Sequence, residues 1–303
     1  MSAPALSLGG VLGPVVTPFS PDTSTLDLDA FARNARAHVA AGLDGLLVCG
    51  STGEAALLDE SERDALVETA RDVLPADRLL LVGTGAESTQ ACVRRCRQAA
   101  ARGAHAALVV SPHYYTSAMT PAALEAHFTR VADESPIPVL LYNIPKYAHL
   151  VLEPDLVERL SQHANIAGMK DSAGDVERLR GYVRSQGEHF AVLTGHAGTF
   201  SQAAAMGVRG GILAVALFAP AASRAVWDAS LGGHADEAEA AQRVLVPLGA
   251  EIVAKLGVAG VKHAMDVIGC DGGPVRSPLL PLSAQEHGRV LELLDAAGVT
   301  VAA

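Results

Sequence analysis

The stretch NIAGMKDS (165–172) is apolar from Ile166 to Met169 and then turns polar at Lys170, Asp171 and Ser172. Lysine is scarce in this chain: Lys146, Lys170, Lys255 and Lys262 are four against nineteen arginines. Where basic positions have gone so largely to arginine, a retained lysine directs attention to its amine. At the mouth of a buried segment, desolvation disfavours the charged amine and lowers its pKa from about 10.4 toward neutrality. Uncharged, it attacks a ketone and forms a Schiff base. The protonated imine then stabilises a carbanion at the adjacent carbon, so a carbon–carbon bond can be made or broken without a metal. The structural alternative is a lysine that snorkels at a strand end, bonded to Asp171 or to carbonyls.

Schiff-base chemistry needs a proton carrier and, for a 2-oxo acid, a carboxylate anchor. Tyr142, at the end of the apolar run PVLLYNIP (138–145), supplies a phenol on a fixed ring. Its alternative role is packing with a hydrogen bond. The segment GSTGE (50–54) offers the Ser51 and Thr52 hydroxyls and successive backbone N–H groups between glycines. That is the composition of an anion-binding nest, and equally of an ordinary strand–helix turn.

These residues must be carried by strands. Eight short apolar runs recur: 11–18, 45–52, 78–85, 106–113, 138–145, 166–172, 191–197 and 210–216. Their continuous apolar character suits parallel strands buried on both faces. Helical spacing fills the intervals at 27–41, 59–73, 87–102, 120–134, 153–163, 174–186 and 198–206. Asp59 with Glu62 fits a capping box, Pro121 and Pro154 fit first helical positions, and Gly42 and Gly103 fit helix C-termini. Strand–helix alternation of this length predicts a (β/α)8 TIM barrel over residues 1–224. A doubly wound sheet is disfavoured, since VVTPFSPD after the first run is not a glycine-rich dinucleotide turn. Residues 225–303 predict a C-terminal helical region packed on the barrel, with helices at 234–256, 258–268 and 283–297. In such a barrel the catalytic groups lie at the C-terminal strand ends. Lys170, Tyr142, Ser51, Thr52, His113, Tyr114, Tyr115, Gly195 and His196 then share one mouth. A metal-dependent lyase would need convergent acids and histidines there, and the candidates are His113, His196, Asp171 and Glu54.

Composition narrows the function classes. Half of the residues are hydrophobic and 4% aromatic, which gives an ample aliphatic core. A net charge of −10 argues against nucleic acid as a partner. No apolar run is long enough to span a membrane. Cys92 and Cys96 lie four apart on a predicted helix and form no zinc motif. Reduced thiols, and a start (MSAPALSLGG) with no basic leader or transit-peptide arginines, predict a cytoplasmic protein.

In combination, GSTGE (50–54), YNIP (142–145) and GMKDSAGD (168–175) resemble the dihydrodipicolinate synthase / N-acetylneuraminate lyase family of class I Schiff-base aldolases. The resemblance extends over about residues 9–290. It implies the (β/α)8 barrel, Lys170 as the Schiff-base lysine, and Tyr142 as the proton-relaying phenol over the imine. Thr52 would link Tyr142 to solvent, and Ser51 would help hold the carboxylate. Tyr115, or Tyr114, would cross a tight dimer interface to complete the neighbouring subunit's relay. Main-chain groups of Gly195 and Leu213 would line the pyruvate pocket. The substrates implied are pyruvate and an aldehyde, with no cofactor or metal, in a homotetramer built as a dimer of dimers.

Within the family, GAESTQ (85–90), LSQHANIAGMKDSAGDV (160–176), GVAGVKHAMDVIG (257–269) and GGPVRSPL (272–279) are most similar to 4-hydroxy-2-oxoglutarate aldolases, which cleave their substrate to pyruvate and glyoxylate. Alternatives inside the family are dihydrodipicolinate synthase and a 2-keto-3-deoxy sugar-acid aldolase or dehydratase. Outside it stands a catalytically silent pyruvate-binding regulator. Two departures bear on the aldehyde side. Tyr147 stands where the synthases carry an arginine for the second substrate's carboxylate, and Thr52 stands where the similar aldolases carry asparagine. Lys146 and His196 are the candidates to take over carboxylate recognition, and Tyr147 counts among the substrate-binding positions.

Overall fold

Each of the eight apolar runs becomes a strand in the computed structural model, which describes residues 8–22 and 25–300. The start of the chain, residues 1–7, on which the leader expectation falls, lies outside the described residues. The strands are β1 (Gly10–Pro14), β2 (Gly45–Val48), β3 (Leu79–Gly83), β4 (Ala106–Val110), β5 (Val139–Asn143), β6 (Ile166–Asp171), β7 (Ala191–Thr194) and β8 (Gly210–Ile212). They pair in chain order, all parallel, and β8 returns to β1 to close the barrel. Alternate residues fill the interior. Leu12, Leu47, Leu81, Leu108, Leu140, Leu193 and Ile212 form one buried cluster there, which includes Tyr142.

The barrel helices are α1 (Leu28–Ala40), α2 (Glu60–Val73), α3 (Thr89–Ala101), α4 (Pro121–Glu134), the single turn α5 (Pro145–Ala148), α6 (Pro154–Leu160), α7 (Val176–Val183), α8 (Phe200–Ala205) and α9 (Pro220–Leu231). Their ends follow the local chemistry. Asp59 and Glu62 form the reciprocal capping box of α2. Thr120 caps α4 through the Ala123 N–H, with Pro121 at the first position. Gly42 and Gly103 follow α1 and α3 with φ of +91° and +82°, a conformation that favours glycine. Apolar spacing does not predict α9, because only Val226 and Trp227 among its alanines and serines present large buried apolar surface. Residue 224, the expected limit of the barrel, falls inside this helix.

Beyond α9 the chain forms α10 (Ala235–Pro247), α11 (Gly257–Val267) and α12 (Ala284–Ala296). The stretch expected as one helix over 234–256 changes character at Pro247. Proline contributes no N–H, and the next segment, Leu248–Lys255, is wound as a wider π-helix. Leu245, Leu248, Ile252, Val261, Met265 and Leu294 belong to the same buried cluster as Val11, Val15 and Phe218. The C-terminal helices therefore share their core with the barrel. Among the described residues no helix is long and apolar enough to cross a membrane.

Two histidines sit in this frame as neutral side chains. His38 and His127 are buried, and the Nε2 of each has no partner among the described residues. Burial pushes both down to about 4. The unfolded chain protonates them near 6.5, so between those limits it binds more protons than the folded one, and stability rises with pH. We expect the unfolding free energy from urea titrations to fall as pH drops from 6.5 toward 4, by on the order of 3 kcal/mol for each histidine, and to level off below. His38→Gln should make that slope shallower; an unchanged slope would contradict the assignment.

Candidate active site

Tyr142 on β5 and Lys170 on β6 are brought together by strand register. The pairing starts at Val139↔Ile166 but continues as Leu140↔Gly168, so Ala167 is an extra residue on β6. This bulge advances β6 by one position, and Tyr142 meets Lys170 instead of Met169. Lys170 Nζ donates to Tyr142 Oη at 3.4 Å and lies 4.6 Å from the ring centroid. The two residues are 4% and 6% exposed. Among the described residues Lys170 forms no ion pair with a carboxylate. Gly195, just after β7, fits closely against this amine. A Cβ there would meet Ser172 Oγ and lie 2.6 Å from Lys170 Cε. The Gly195 N–H donates to the Asp171 carbonyl at 2.6 Å, and the N–H of the buried Leu213 donates to Leu12 at 3.0 Å. What these two positions can offer a ligand is thus shape and carbonyl oxygens.

The same strand ends carry a second polar pair that the sequence reading does not identify. Asn143 Nδ2 donates to Asp171 Oδ1 at 2.6 Å, and Asn143 Oδ1 accepts from Leu152 N–H at 3.0 Å. Burial pushes the Asp171 carboxyl up, against the lowering effect of the Asn143 and Ala173 donors. This bridge ties the residues that follow Tyr142 and Lys170 to each other and to the loop after α5. Its sequence signal is the polar residue next to each catalytic candidate.

The GSTGE segment is a tight turn after β2, bounded by residues in left-handed conformation, Cys49 and Glu54, each with φ of 55°. Gly53 N–H donates to Gly50 and Glu54 N–H to Ser51. The N–H and hydroxyl groups of Ser51 and Thr52 have no acceptor in the described chain. Four donors are therefore available to an anion, as in a backbone nest. No hydrogen bond joins Thr52 to Tyr142 among the described residues.

The remaining candidates lie further out. Tyr147 is 44% exposed, and burial, then the nearby Tyr142, raise its phenol above the ordinary range. Lys146 Nζ donates to the Ala254 carbonyl at 2.7 Å in the π-helical segment. His196 bonds Thr199 through Nδ1, and burial pushes it down, so it stays neutral at neutral pH. Tyr114 and Tyr115 are exposed and pack edge-to-face on each other. His113 Nδ1 lies 3.2 Å from Glu87. Among the described residues no group of three His, Cys, Asp or Glu side chains is placed to hold a metal ion.

A tyrosine-paired, buried lysine at the C-terminal end of one strand of a (β/α)8 barrel, with a turn rich in unpaired donors at the same end of another, is the arrangement of a class I aldolase. The chain matches the dihydrodipicolinate synthetase family over residues 7–297 and belongs to it, as an enzyme of the lyase class. Its relatives include a 4-hydroxy-tetrahydrodipicolinate synthase of Xanthomonas axonopodis pv. citri, 38% identical over 92% of this chain and 91% of the relative. Another is the 4-hydroxy-tetrahydrodipicolinate synthase of Methanothrix thermoacetophila, 34% identical over 94% of this chain and 95% of that one. Among solved structures, the chloride-inhibited dihydrodipicolinate synthase of Acinetobacter baumannii complexed with pyruvate superposes with a TM-score of 0.91 at 27% identity, covering 96% and 99% of the two chains. YagE, an E. coli K12 prophage protein of the family in complex with pyruvate, gives 0.90 at 29% identity, covering 96% and 99%. The names of these relatives favour the dihydrodipicolinate synthase alternative over the 4-hydroxy-2-oxoglutarate aldolase expectation.

The Asn143 bridge makes a direct stability prediction. Asn143→Ala leaves the Asp171 carboxylate and the Leu152 N–H without their buried partner, which costs about 1–3 kcal/mol. Denaturant unfolding should show that loss, and a variant as stable as the parent would remove the bridge from this account.

Proposed function

We propose that the chain condenses pyruvate with an aldehyde through an imine on Lys170. The observation that carries this is the buried Lys170 amine beside the Tyr142 phenol, with no carboxylate paired to it among the described residues. In its unprotonated form the amine attacks the pyruvate C2 carbonyl. Tyr142 delivers the proton with which the carbinolamine hydroxyl leaves as water. A proton then departs from C3, and the resulting enamine carbon attacks the aldehyde carbon. Hydrolysis of the new imine releases product and restores the lysine. The unpaired donors of Ser51 and Thr52 suit the pyruvate carboxylate. The exposed rings of Tyr114 and Tyr115 suit contact with a second copy of the chain, as in a dimer of dimers in which Tyr115 completes the neighbour's proton relay.

The relatives' names support 4-hydroxy-tetrahydrodipicolinate synthase chemistry. One observation favours a second reading, with glyoxylate as the acceptor and 4-hydroxy-2-oxoglutarate as the product. Tyr147 is a neutral phenol where the synthases carry arginine, and the adjacent Lys146 is engaged with the Ala254 carbonyl.

Borohydride reduction in the presence of pyruvate, followed by peptide mass analysis, should place the adduct on Lys170. Lys170→Ala should abolish trapping, and Tyr142→Phe should slow it by on the order of 10²-fold or more. Absence of an adduct, or an adduct on another lysine, would overturn the mechanism. Testing for 4-hydroxy-tetrahydrodipicolinate formation against 4-hydroxy-2-oxoglutarate formation from glyoxylate separates the two readings.

A further inference from the structure

The turn that carries Ser51 and Thr52 is held from outside the barrel. Glu54, at its end, occupies the left-handed region with φ of 55°, which a residue with a side chain keeps only when its surroundings enforce it. Those surroundings come from the C-terminal extension. Lys262 on α11 places Nζ 2.6 Å from Glu54 Oε1, and the two side chains are 1% and 0% exposed. The two groups form a buried ion pair. Lys262 Nζ also donates to the Pro274 carbonyl at 2.6 Å and lies 4.6 Å from the Phe19 ring centroid. Glu54 Oε2 accepts from the Arg276 N–H at 2.8 Å. The Arg276 guanidinium covers the other side, with two 2.7 Å bonds to Glu62, one of 3.0 Å to the Leu57 carbonyl, and the Phe19 ring at 4.1 Å. Within the barrel, Thr17 Oγ1 donates to the Gly53 carbonyl at 2.7 Å.

A buried carboxylate answered by one ammonium and one backbone N–H is far more than a simple turn requires. We propose that Lys262 and Arg276 are positioning residues for the reaction: through Glu54 they fix the Ser51–Thr52 turn in the conformation that leaves its donors unpaired by the protein and ready for the substrate carboxylate. This inference rests on the reading of that turn as the carboxylate anchor. It gives the C-terminal helices a part in catalysis without contact with substrate.

Lys262→Met alone strands a buried carboxylate and can fail to fold, so the decisive variant is the neutral pair Glu54→Gln/Lys262→Met, which removes both charges at similar volume. It should fold, and amide exchange of residues 49–58 should rise about tenfold or more while the β5 and β6 amides stay protected. In pyruvate trapping its half-saturating concentration should rise about tenfold or more with a smaller change in the maximal rate, as expected when an anchor is displaced. In a Ser51→Ala background the same pair should add less than about twofold, because both changes act through one group. A folded neutral pair with parental exchange and half-saturation would overturn the proposal, as would losses that multiply with Ser51→Ala. If the parent protein itself traps no pyruvate, the proposed function fails and the exchange measurement alone decides whether the clamp exists.

Discussion

Everything at this mouth depends on the register of β5 against β6. Side chains alternate between the two faces of a strand, so a slip of one residue exchanges interior for exterior. Here Leu140 and Tyr142 face the barrel interior, while Leu141 and Met169 pack outward with Phe128 and Leu156 under the helices. Without the extra residue at Ala167, Tyr142 would lie opposite Met169 and the amine would meet Asn143. The bulge aligns the phenol and the amine on neighbouring strands and faces. The closed sheet then keeps the pair from drifting, because β6 is paired on both sides and β7 brings Gly195 against the lysine stem.

The polar groups around that pair divide into those the protein satisfies and those it leaves open. Asn143, Asp171 and Leu152 complete one another, as buried groups must. Lys146, Lys262 and His196 each have partners in the chain. Among the described residues the donors of Ser51 and Thr52 bond no acceptor, and Lys170 pairs with no carboxylate. A protein that satisfies the structural polar groups and leaves these few open has placed its unmet electrostatic demand where an anionic carbonyl compound would meet it.

Much of this was legible from residue types. Continuous apolar runs located all eight strands, although the runs overshoot the strands: Val15 and Val16 stay buried after β1 has ended. Lys170 and Tyr142 could be found because strand ends at a barrel mouth are few and their residue types are unusual there. The Asn143–Asp171 bridge was not found, since its partners are 28 residues apart and a polar residue at a strand end looks the same whether it faces solvent or another side chain. Lys146 was a candidate carboxylate anchor, and the carbonyl that engages it lies 108 residues further on, beyond any local pattern. The π-helical turn at Leu248–Lys255 was hidden too, because helical spacing does not reveal a local change of winding.

The scarcity of lysine carries more information than one catalytic group. Of the four lysines, Lys170 and Lys262 are the buried ones, and they occupy opposite electrostatic settings. Lys262 is a compact point charge set against one carboxylate and one carbonyl, a space in which a planar guanidinium would have to place further donors. Arginine serves where a fork is wanted, as Arg276 does on Glu62. On the proposed mechanism Lys170 serves as a primary-amine nucleophile, which a guanidinium does not provide. With nineteen arginines in the chain, two of its four lysines nevertheless lie at these buried positions, where the geometry or the chemistry of a primary amine suits the proposed roles. On the proposed function, one of them would condense with the ketone and the other would hold the turn that grips its carboxylate.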